Sequence, residues 1–307
     1  MKKFLINLKY AYRPNKPKLI SRLVKNMVEV YAGKMPLRYV DFSIGYKCNL
    51  SCSHCFANHE DKNGKLTPAE YSVVVKEAMK IGAVNFSFQG GEPLLYPELK
   101  EYIFAARPEK NLISLSTNGT LLNWGKMREL SEMGVDILTI SYDPFHRPVD
   151  ILSIMDMAQH FRINITISTV VTHAMVSDNI INLGKLAGIC TKNKTILMLI
   201  YAAPIGRWKD NKDVMLNKVD LEIIKKITRE YQYVRTDFDA NYKAHGCGAA
   251  KEIIYIRPNG DVLCCPFLET IFGNVRKESI IDIRKKMLTN NLLSKYHNEC
   301  LAISGGL

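Results

Sequence analysis

The chain has 307 residues, of which 47% are hydrophobic, 23% charged and 9% aromatic, with a mean hydropathy of −0.08. This composition predicts a globular protein with one main core and a small extra module, and it excludes a disordered or repetitive chain. The sequence contains no run of about 18 uncharged apolar residues and no export signal at its start, so we expect a cytoplasmic protein without a membrane-spanning helix.

The formal net charge of +12 is concentrated near the N-terminus. Residues 1–38 contain ten Lys or Arg against the single acidic residue Glu29, which places +9 of the charge there (10 − 1 = 9). Apolar residues recur at helical spacing between 19 and 28, so we predict a basic amphipathic helix. Two roles remain open for it: packing against the main core, or docking onto an anionic partner such as a lipid surface.

From residue 39 to residue 201, short β-rich runs alternate with amphipathic segments, which indicates βα units and a parallel sheet. Six strand–helix repeats are fewer than the eight of a closed barrel. The predicted strands are YVDFSI (39–44), NFSFQ (85–89), LISLST (112–117), ILTISYD (137–143), NITISTVV (164–171) and TILMLIY (195–201). Helices are expected near 67–81, 97–106, 123–133, 148–160 and 177–189, the first of them starting at the capping sequence TPAE.

The pattern changes after Tyr201, where a loop and a charged helix near 219–231 follow. A hairpin comes next, with EIIYIRP and DVLCCP on either side of a turn at Asn259 and Gly260, and then a last helix near 279–295. We therefore predict four parts of the chain: a basic arm (1–35), a main unit (36–205), a linker with a helix (206–246) and a small C-terminal module (247–307).

Three of the eight cysteines, Cys48, Cys52 and Cys55, lie in the stretch CNLSCSHC. In a long chain without an export signal, reduced thiolates that bind metal are a better interpretation than disulfides. Structural zinc needs four ligands, so His54 or His59 would have to join these cysteines. A [4Fe-4S] cluster fits better, because one short loop can hold three of its irons and leave the fourth open to a small molecule.

The C-x3-C-x2-C spacing after the first strand resembles the signature of the radical S-adenosylmethionine (SAM) superfamily, with His54 at a usually aromatic position. The resemblance implies an α/β fold, a partial (β/α)6 TIM-like barrel. It also implies a [4Fe-4S] cluster on Cys48, Cys52 and Cys55, with SAM bound at the open iron. The expected chemistry is reductive cleavage of SAM to a 5′-deoxyadenosyl radical, which abstracts a hydrogen atom from the substrate.

Motifs at the ends of further strands also resemble this family. QGGEP ends the second strand, STNGT the third and SYD the fourth, where parallel barrels hold their ligands. Instead of binding a ligand, the glycine pair could simply form a tight turn, and the polar side chains could cap helices or turns. By the resemblance, the candidate SAM-binding residues are His54, Gly90, Gly91, Glu92, Pro93, Asn118, Ser141, Asp143 and Ser168.

Two loops supply candidate substrate-binding residues. DPFHRP places Asp143, His146 and Arg147 together, and such a trio can clamp a substrate or accept a proton. PIGRW resembles a family loop that makes Arg207 a candidate anchor for an anionic substrate. A structural histidine and a solvated arginine are the alternatives for these two loops.

Cys247, Gly260, Cys265 and Cys300 resemble the auxiliary-cluster extension of radical SAM enzymes called SPASM or, when shortened, twitch. The resemblance implies a hairpin-plus-helix module with a second [4Fe-4S] cluster. Because side chains alternate along a strand, Cys264 and Cys265 should face opposite ways, and the spacing from Gly260 favours Cys265. The fourth ligand remains open between Cys264, a non-cysteine group and the substrate, while buried structural cysteines are the alternative for the whole set.

These features predict a radical SAM enzyme that oxidises or crosslinks a peptide or protein side chain, with a ferredoxin or flavodoxin as electron donor. One alternative is oxidation or coupling of a lipid, a cofactor precursor or another anionic small molecule. Another is a non-catalytic zinc-binding or scaffold protein. The sequence shows no stacking-aromatic signature of nucleic-acid binding.

Overall fold

The computed structural model describes residues 2–57, 64–146, 149–177, 182–242 and 246–304. Within these residues ten strands form a single sheet. In chain order the strands are β1 (Tyr39–Ser43), β2 (Asn85–Gln89), β3 (Leu112–Thr117), β4 (Ile137–Ser141), β5 (Asn164–Val171), β6 (Ile196–Tyr201), β7 (Val234–Thr236), β8 (Ile253–Ile256), β9 (Asp261–Leu263) and β10 (Ile271–Asn274). Their order across the sheet is β10-β9-β8-β1-β2-β3-β4-β5-β6-β7.

The strands from β1 to β7 are all parallel to their neighbours. On the other side of β1, β8 also pairs in parallel, whereas β9 and β10 continue the sheet in antiparallel pairs. In the described part of the chain β7 and β10 are the two open edges, so the barrel is partial and the predicted fold class is confirmed. The six predicted strands are present, and the short strands β7 and β10 are additions to them.

Several helices begin at side chains that suit helix starts. Thr67 and Glu70 form the expected capping box, and Asn123, Asp150 and Asn182 each accept backbone N–H groups at later helix starts. The described helices are α1 (Lys2–Ala11), α2 (Pro17–Tyr31), α3 (Pro68–Lys80), α4 (Leu99–Ala105), α5 (Trp124–Glu132), α6 (Ile151–His160), α7 (His173–Ser177), α8 (Leu183–Lys192), α9 (Lys218–Glu230), α10 (Ile280–Thr289) and α11 (Leu301–Ser304).

Successive side chains of the strands point alternately to the core under the helices and to a cavity. On β1 the side chains of Val40 and Phe42 are fully buried towards the helices, and Phe42 stacks on Tyr71 of α3 with ring centroids 4.3 Å apart. Burial of each such side chain contributes about 1.5–3 kcal/mol. Alternate residues of the same region, such as Asp41 and Asn85, line a cavity on the concave face instead. The alternation therefore separates the core from the side chains that line the cavity.

The N-terminal arm packs against the amino ends of the parallel strands. The Tyr10 hydroxyl donates to the carbonyl of Ile165 at 2.8 Å and accepts from the amide of Ile196 at 3.0 Å. Arg13 and Lys16 both form ion pairs with Asp136, the residue before β4. Part of the basic charge of the arm is thus neutralised inside the fold, as the packing interpretation expects.

No helix in the described ranges has the length and apolar character that a membrane span requires. The division of the chain at residues 35, 205 and 246 stays a prediction.

Candidate functional site

A cavity of about 1260 Å³ occupies the concave side of the sheet. Inner-face side chains of all the strands from β1 to β7 contribute to its wall, and loops at the carboxyl ends of these strands form its rim. The carboxyl ends of parallel strands are the usual place for ligand sites in such folds. The predicted site residues can therefore be located relative to one cavity.

The loop after β1 brings Cys48, Cys52 and Cys55 to this cavity. The three thiols are close enough to influence one another, since Cys52 raises the pKa of both other thiols, although burial is the larger cause. The amide of Leu50 donates to the Cys48 sulfur at 3.4 Å. Three cysteines on one short loop that lines the cavity form a donor set suited to iron.

Two glycines at the end of β2 hold the start of the cysteine loop through backbone contacts. The amide of Gly91 donates to the carbonyl of Gly45 at 2.8 Å, and the next amide donates to the carbonyl of Lys47 at 2.9 Å. A Cβ atom on Gly91 would lie 2.1 Å from the Lys47 oxygen. Gly90 has φ +131° and a Cβ there would lie 2.3 Å from the Gly45 oxygen. Only glycine allows this approach.

Glu92 is fully buried and lies behind the cavity wall. Its carboxylate accepts hydrogen bonds from the amide of Leu94, the hydroxyl of Thr117 and the amide of Asn118, at 2.8–3.0 Å. Burial raises the pKa of this carboxyl, and the three donors act in the opposite direction. Pro93 follows as the first residue of a short 3-10 helix. In this structure Glu92 connects the ends of β2 and β3.

The end of β3 supports the cysteine loop from a second side. The Asn118 side chain donates to the side-chain oxygen of Asn49 at 2.9 Å and lies 3.9 Å from the Cys48 sulfur. Asn49 in turn donates to the Thr120 hydroxyl at 2.8 Å. Asn118 is therefore both a cavity-lining residue and a brace for the loop.

The loop after β6 supports the cysteine loop from a third side. The amide of Arg207 donates to the carbonyl of Cys55 at 3.1 Å. Its guanidinium donates to the Ser51 hydroxyl at 2.7 Å and to the carbonyl of Cys52 at 3.0 Å. Gly206 has φ +56°, and a Cβ atom there would lie 2.3 Å from the Cys55 oxygen. The described contacts of Arg207 are thus with the cysteine loop.

His54, Asp143 and His146 form one cluster at the rim, with their nearest side-chain N and O atoms within 4.8 Å of one another. The His146 ring lies 2.9 Å from Asp143. Burial lowers the pKa of His146, but the contacts with Asp143 and Cys52 outweigh this effect and raise the pKa to about 9. Burial lowers the pKa of His54 to about 4. The His54 ring packs against Phe145 and Trp208. Arg147, the third residue predicted for this loop, lies outside the described residues.

Ser141 and Ser168 lie side by side at the ends of β4 and β5. Both line the cavity, on the same rim as Asp143. The structure thus brings the predicted polar groups of three strand ends to one wall.

Cys247, Cys265 and Cys300 line the same cavity as the first cysteine group. Cys265 and Cys247 both raise the pKa of Cys300, which burial, the largest cause, brings to about 12. Cys264 is fully buried in the hydrophobic core and is absent from the described cavity wall. Gly260 forms the hairpin turn with φ +91°. Cys190 is fully buried in the core as well.

The second cysteine group has surroundings that fit an iron–sulfur cluster. Burial raises the pKa of Cys247 and of Cys300, and the contact with Cys264 together with burial raises that of Cys265, whereas neighbouring backbone N–H groups lower all three. Such donors stabilise thiolates that bind a cluster. Three cysteines from separate segments that line one cavity form a donor set suited to an iron–sulfur cluster.

Several site residues escaped the sequence reasoning. Asn49, Ser51 and Trp208 act through contacts with distant segments, which no local pattern reveals. Asp41 and Asp237 line the cavity but lie outside any motif. Of these residues, Asp41 could have been located from the sequence. It alternates with the apolar residues Val40 and Phe42 and therefore points to the opposite face of β1.

Two family models match the chain. The model of the radical SAM superfamily matches residues 42–172, and the model of an iron–sulfur cluster-binding domain called SPASM matches residues 247–302. Among curated proteins, a GTP 3′,8-cyclase of Clostridium perfringens (strain SM101 / Type A) is 34% identical over 205 residues, which are 61% of this chain and 62% of the relative. The match thus spans less than two thirds of that relative.

Solved structures share the fold at low sequence identity. The crystal structure of Streptococcus suis SuiB bound to S-adenosylmethionine superposes with a TM-score of 0.63 at 18% identity, covering 89% of this chain and 75% of SuiB. Native anSMEcpe with bound AdoMet and Cp18Cys peptide gives a TM-score of 0.61 at 18% identity, covering 87% and 84% of the two chains. At this identity the likeness concerns the fold alone.

Proposed function

Since the chain belongs to the radical SAM superfamily and carries a C-terminal iron–sulfur cluster-binding domain, we propose that it modifies a peptide or protein side chain by hydrogen abstraction. When bound, the [4Fe-4S] cluster and SAM supply an electron and a 5′-deoxyadenosyl radical. The chain itself holds these groups, orients the substrate and excludes water from the cavity.

We assign Cys48, Cys52 and Cys55 as ligands of the SAM-binding cluster. Ser141 and Ser168 are in position to hydrogen-bond the ribose or the carboxylate of SAM, since both line the cavity beside the cysteine loop. Asp143 is ordered by the amides of Phe145 and His146 and offers a carboxylate on the same wall. Gly90 and Gly91 let the backbone approach the ligand closely. Cys247, Cys265 and Cys300 are the proposed ligands of the auxiliary cluster.

The observation that carries this proposal is the shared cavity of the two cysteine groups. A substrate in the cavity would face both groups, so hydrogen abstraction and removal of an electron can act on the same molecule. This arrangement favours net oxidation or crosslinking over isomerisation. The substrate, or Cys264 after a rearrangement, could complete the auxiliary site as its fourth ligand. A ferredoxin or flavodoxin is the proposed electron donor.

The peptide assignment is supported by the size of the cavity and by the fold shared with anSMEcpe, which was crystallised with a peptide. The second candidate is a small-molecule reaction, because the curated relative at 34% identity is named a GTP 3′,8-cyclase. The matches to the radical SAM superfamily and to relatives named GTP 3′,8-cyclase support an enzyme over a non-catalytic zinc-binding or scaffold protein.

Anaerobic purification followed by analysis of iron and of SAM products tests this function. The wild-type protein should be brown, and upon reduction it should form 5′-deoxyadenosine from SAM. The variant with Cys48, Cys52 and Cys55 all replaced by Ala should form none while keeping about four irons in the auxiliary site. Colourless wild-type protein with one equivalent of zinc would contradict the proposal.

A further inference from the structure

The described residues of the cavity wall include more aspartates than arginines. Among the described residues that line it, four are aspartates and two are arginines, and none is a lysine or a glutamate. These six residues are Arg38, Asp41, Asp143, Arg235, Asp237 and Asp239. His146 also lines the cavity as a cation, because Asp143 and Cys52 raise its pKa to about 9 against the effect of burial, but its ring is paired with Asp143. A site for a nucleoside triphosphate needs several free cationic groups, because each phosphate carries negative charge.

Both arginines already have acidic neighbours within the fold. Arg38 forms an ion pair with Glu252 at 3.1 Å and also donates to the Asn241 side chain at 3.0 Å. Arg235 is buried beside Asp239, whose charge favours the ionised guanidinium while burial opposes it. Neither arginine is therefore placed as a spare cation for a polyphosphate.

Two of the four aspartates are likewise engaged. Asp143 accepts hydrogen bonds from His146, and Asp239 accepts from the backbone amide of Thr236 at 2.9 Å. Asp41 and Asp237, in contrast, form no ion pair within the described ranges of the chain. The cavity thus contains two carboxylates whose charge no described side chain balances by direct contact.

Of these two carboxylates, that of Asp41 lies farther from the carboxyl ends of the strands. It lies on the inner face of β1, is 9% exposed, and pairs in register with Ser87 of β2 and Tyr255 of β8. Burial raises the pKa of Asp41 to about 7, and its neighbours Ser87, Tyr39 and Arg38 offset only part of this effect. A cation bound next to it would restore the ionised form.

The position of Asp41 along β1 gives its depth below the rim of the cavity. It lies two residues before Ser43, the last residue of β1, so it is about 6.6 Å below the rim along the strand. Strand β1 leads into the first cysteine loop, and its neighbour β8 belongs to the segment that carries the second cysteine group. A flexible chain that enters from the rim and ends in an amine could reach this carboxylate.

We propose that the cavity selects a substrate with a protonated amine, whose charge is balanced by Asp41, and that it excludes nucleoside triphosphates. The inference rests on the proposed function and names the substrate class of that same cavity. By this proposal, the substrate of this chain differs from the one in the name of its relatives, the GTP 3′,8-cyclases.

The test is equilibrium binding to the anaerobically reconstituted, SAM-loaded protein. The probes are Nα-acetyl-lysine amide, its neutral analogue Nα-acetyl-norleucine amide, and GTP with Mg²⁺. We expect the lysine probe to bind about tenfold or more tightly than the norleucine probe, as a charge-assisted contact predicts, and GTP to bind most weakly. Asp41→Asn should reduce the preference for lysine to about twofold or less.

Asp237→Asn is the matched control, because it removes a carboxylate from the same cavity and should leave the preference for lysine in place. Equal binding of the lysine and norleucine probes to the wild-type protein, or tighter binding of GTP, would overturn the inference without any variant. Loss of the preference in Asp237→Asn and its retention in Asp41→Asn would overturn the role of Asp41. A preparation that cleaves SAM but binds both probes equally contradicts this inference alone, whereas one that binds no iron contradicts the proposed function.

Discussion

Arg207 binds the cysteine loop through Ser51: the guanidinium Nη1 and the hydroxyl Oγ are 2.7 Å apart. The same nitrogen donates to the carbonyl of Cys52 at 3.0 Å, and the backbone of Arg207 contacts Cys55. Arg207, which lies in the loop after β6, therefore contacts both the beginning and the end of the Ser51–Cys55 segment. We expect this residue to position the cluster ligands.

Arg207→Ala tests that role, because alanine removes the guanidinium nitrogen that donates to both oxygens and keeps the backbone contact with Cys55. Hydrogen bonds from a charged group contribute about 1.5–3 kcal/mol, so we expect SAM affinity to fall about tenfold to a hundredfold, with iron lost from the first cluster. Iron content and SAM binding are the measurements. The exposed Arg229→Ala serves as control. If iron and SAM binding are unchanged and only the KM for substrate rises, Arg207 is instead a substrate anchor.

Gly91→Ala tests the close contact between the end of β2 and the cysteine loop. The added Cβ would lie 2.1 Å from the Lys47 oxygen, so the loop must move and we expect a loss of more than about 2 kcal/mol of stability together with iron. Thermal unfolding and iron analysis measure both effects. Gly188→Ala in α8 is the matched control, because its Cβ would meet only Tyr231 at 4.0 Å, and it should be neutral or slightly stabilising. Normal iron content in Gly91→Ala would contradict this account of the loop.

Cys264→Ala and Cys265→Ala separate the two adjacent cysteines. Cys264 is fully buried in the core and Cys265 lines the cavity. We expect Cys265→Ala to lose about four irons per chain, while Cys264→Ala keeps them and loses only a little packing energy. Iron determination on anaerobic protein decides between them. Equal loss of iron in both variants would make Cys264 a ligand.

Asp41→Asn should change the pH dependence of stability. The pKa of Asp41 rises from 3.8 to about 7 in the folded protein because of burial, so the folded state holds a proton that the unfolded chain has released. The wild type should therefore match the variant near pH 4 and lose stability relative to it up to about pH 7, by on the order of 4 kcal/mol. Thermal unfolding midpoints of substrate-free protein from pH 4 to 8 measure this. A constant difference between the two proteins across that range would show that Asp41 ionises normally.

The sequence predicted the parallel sheet well because apolar and polar residues alternate along strands such as β2 (NFSFQ) and in the first half of β5 (NITIS). It missed β7, which has three residues, and α1, which lies at a basic terminus with little apolar periodicity. The cysteine groups were recognisable because their spacing along the chain is short or characteristic. Contacts such as Arg207 with Ser51 join residues 156 positions apart, so local patterns could not reveal them. The roles assigned to individual site residues stay predictions.

The central claim is that Cys48, Cys52 and Cys55 leave one iron of their cluster open and that SAM fills it. Electron–nuclear double resonance on the reduced, anaerobic protein with SAM carrying a ¹⁵N-labelled amino group measures this most directly. To remove the signal of the second cluster, the variant with Cys247, Cys265 and Cys300 replaced by Ala is used. We predict a hyperfine coupling between the cluster and the labelled nitrogen. A cluster without this coupling at saturating SAM, or one coupled to a histidine nitrogen instead, would contradict the account.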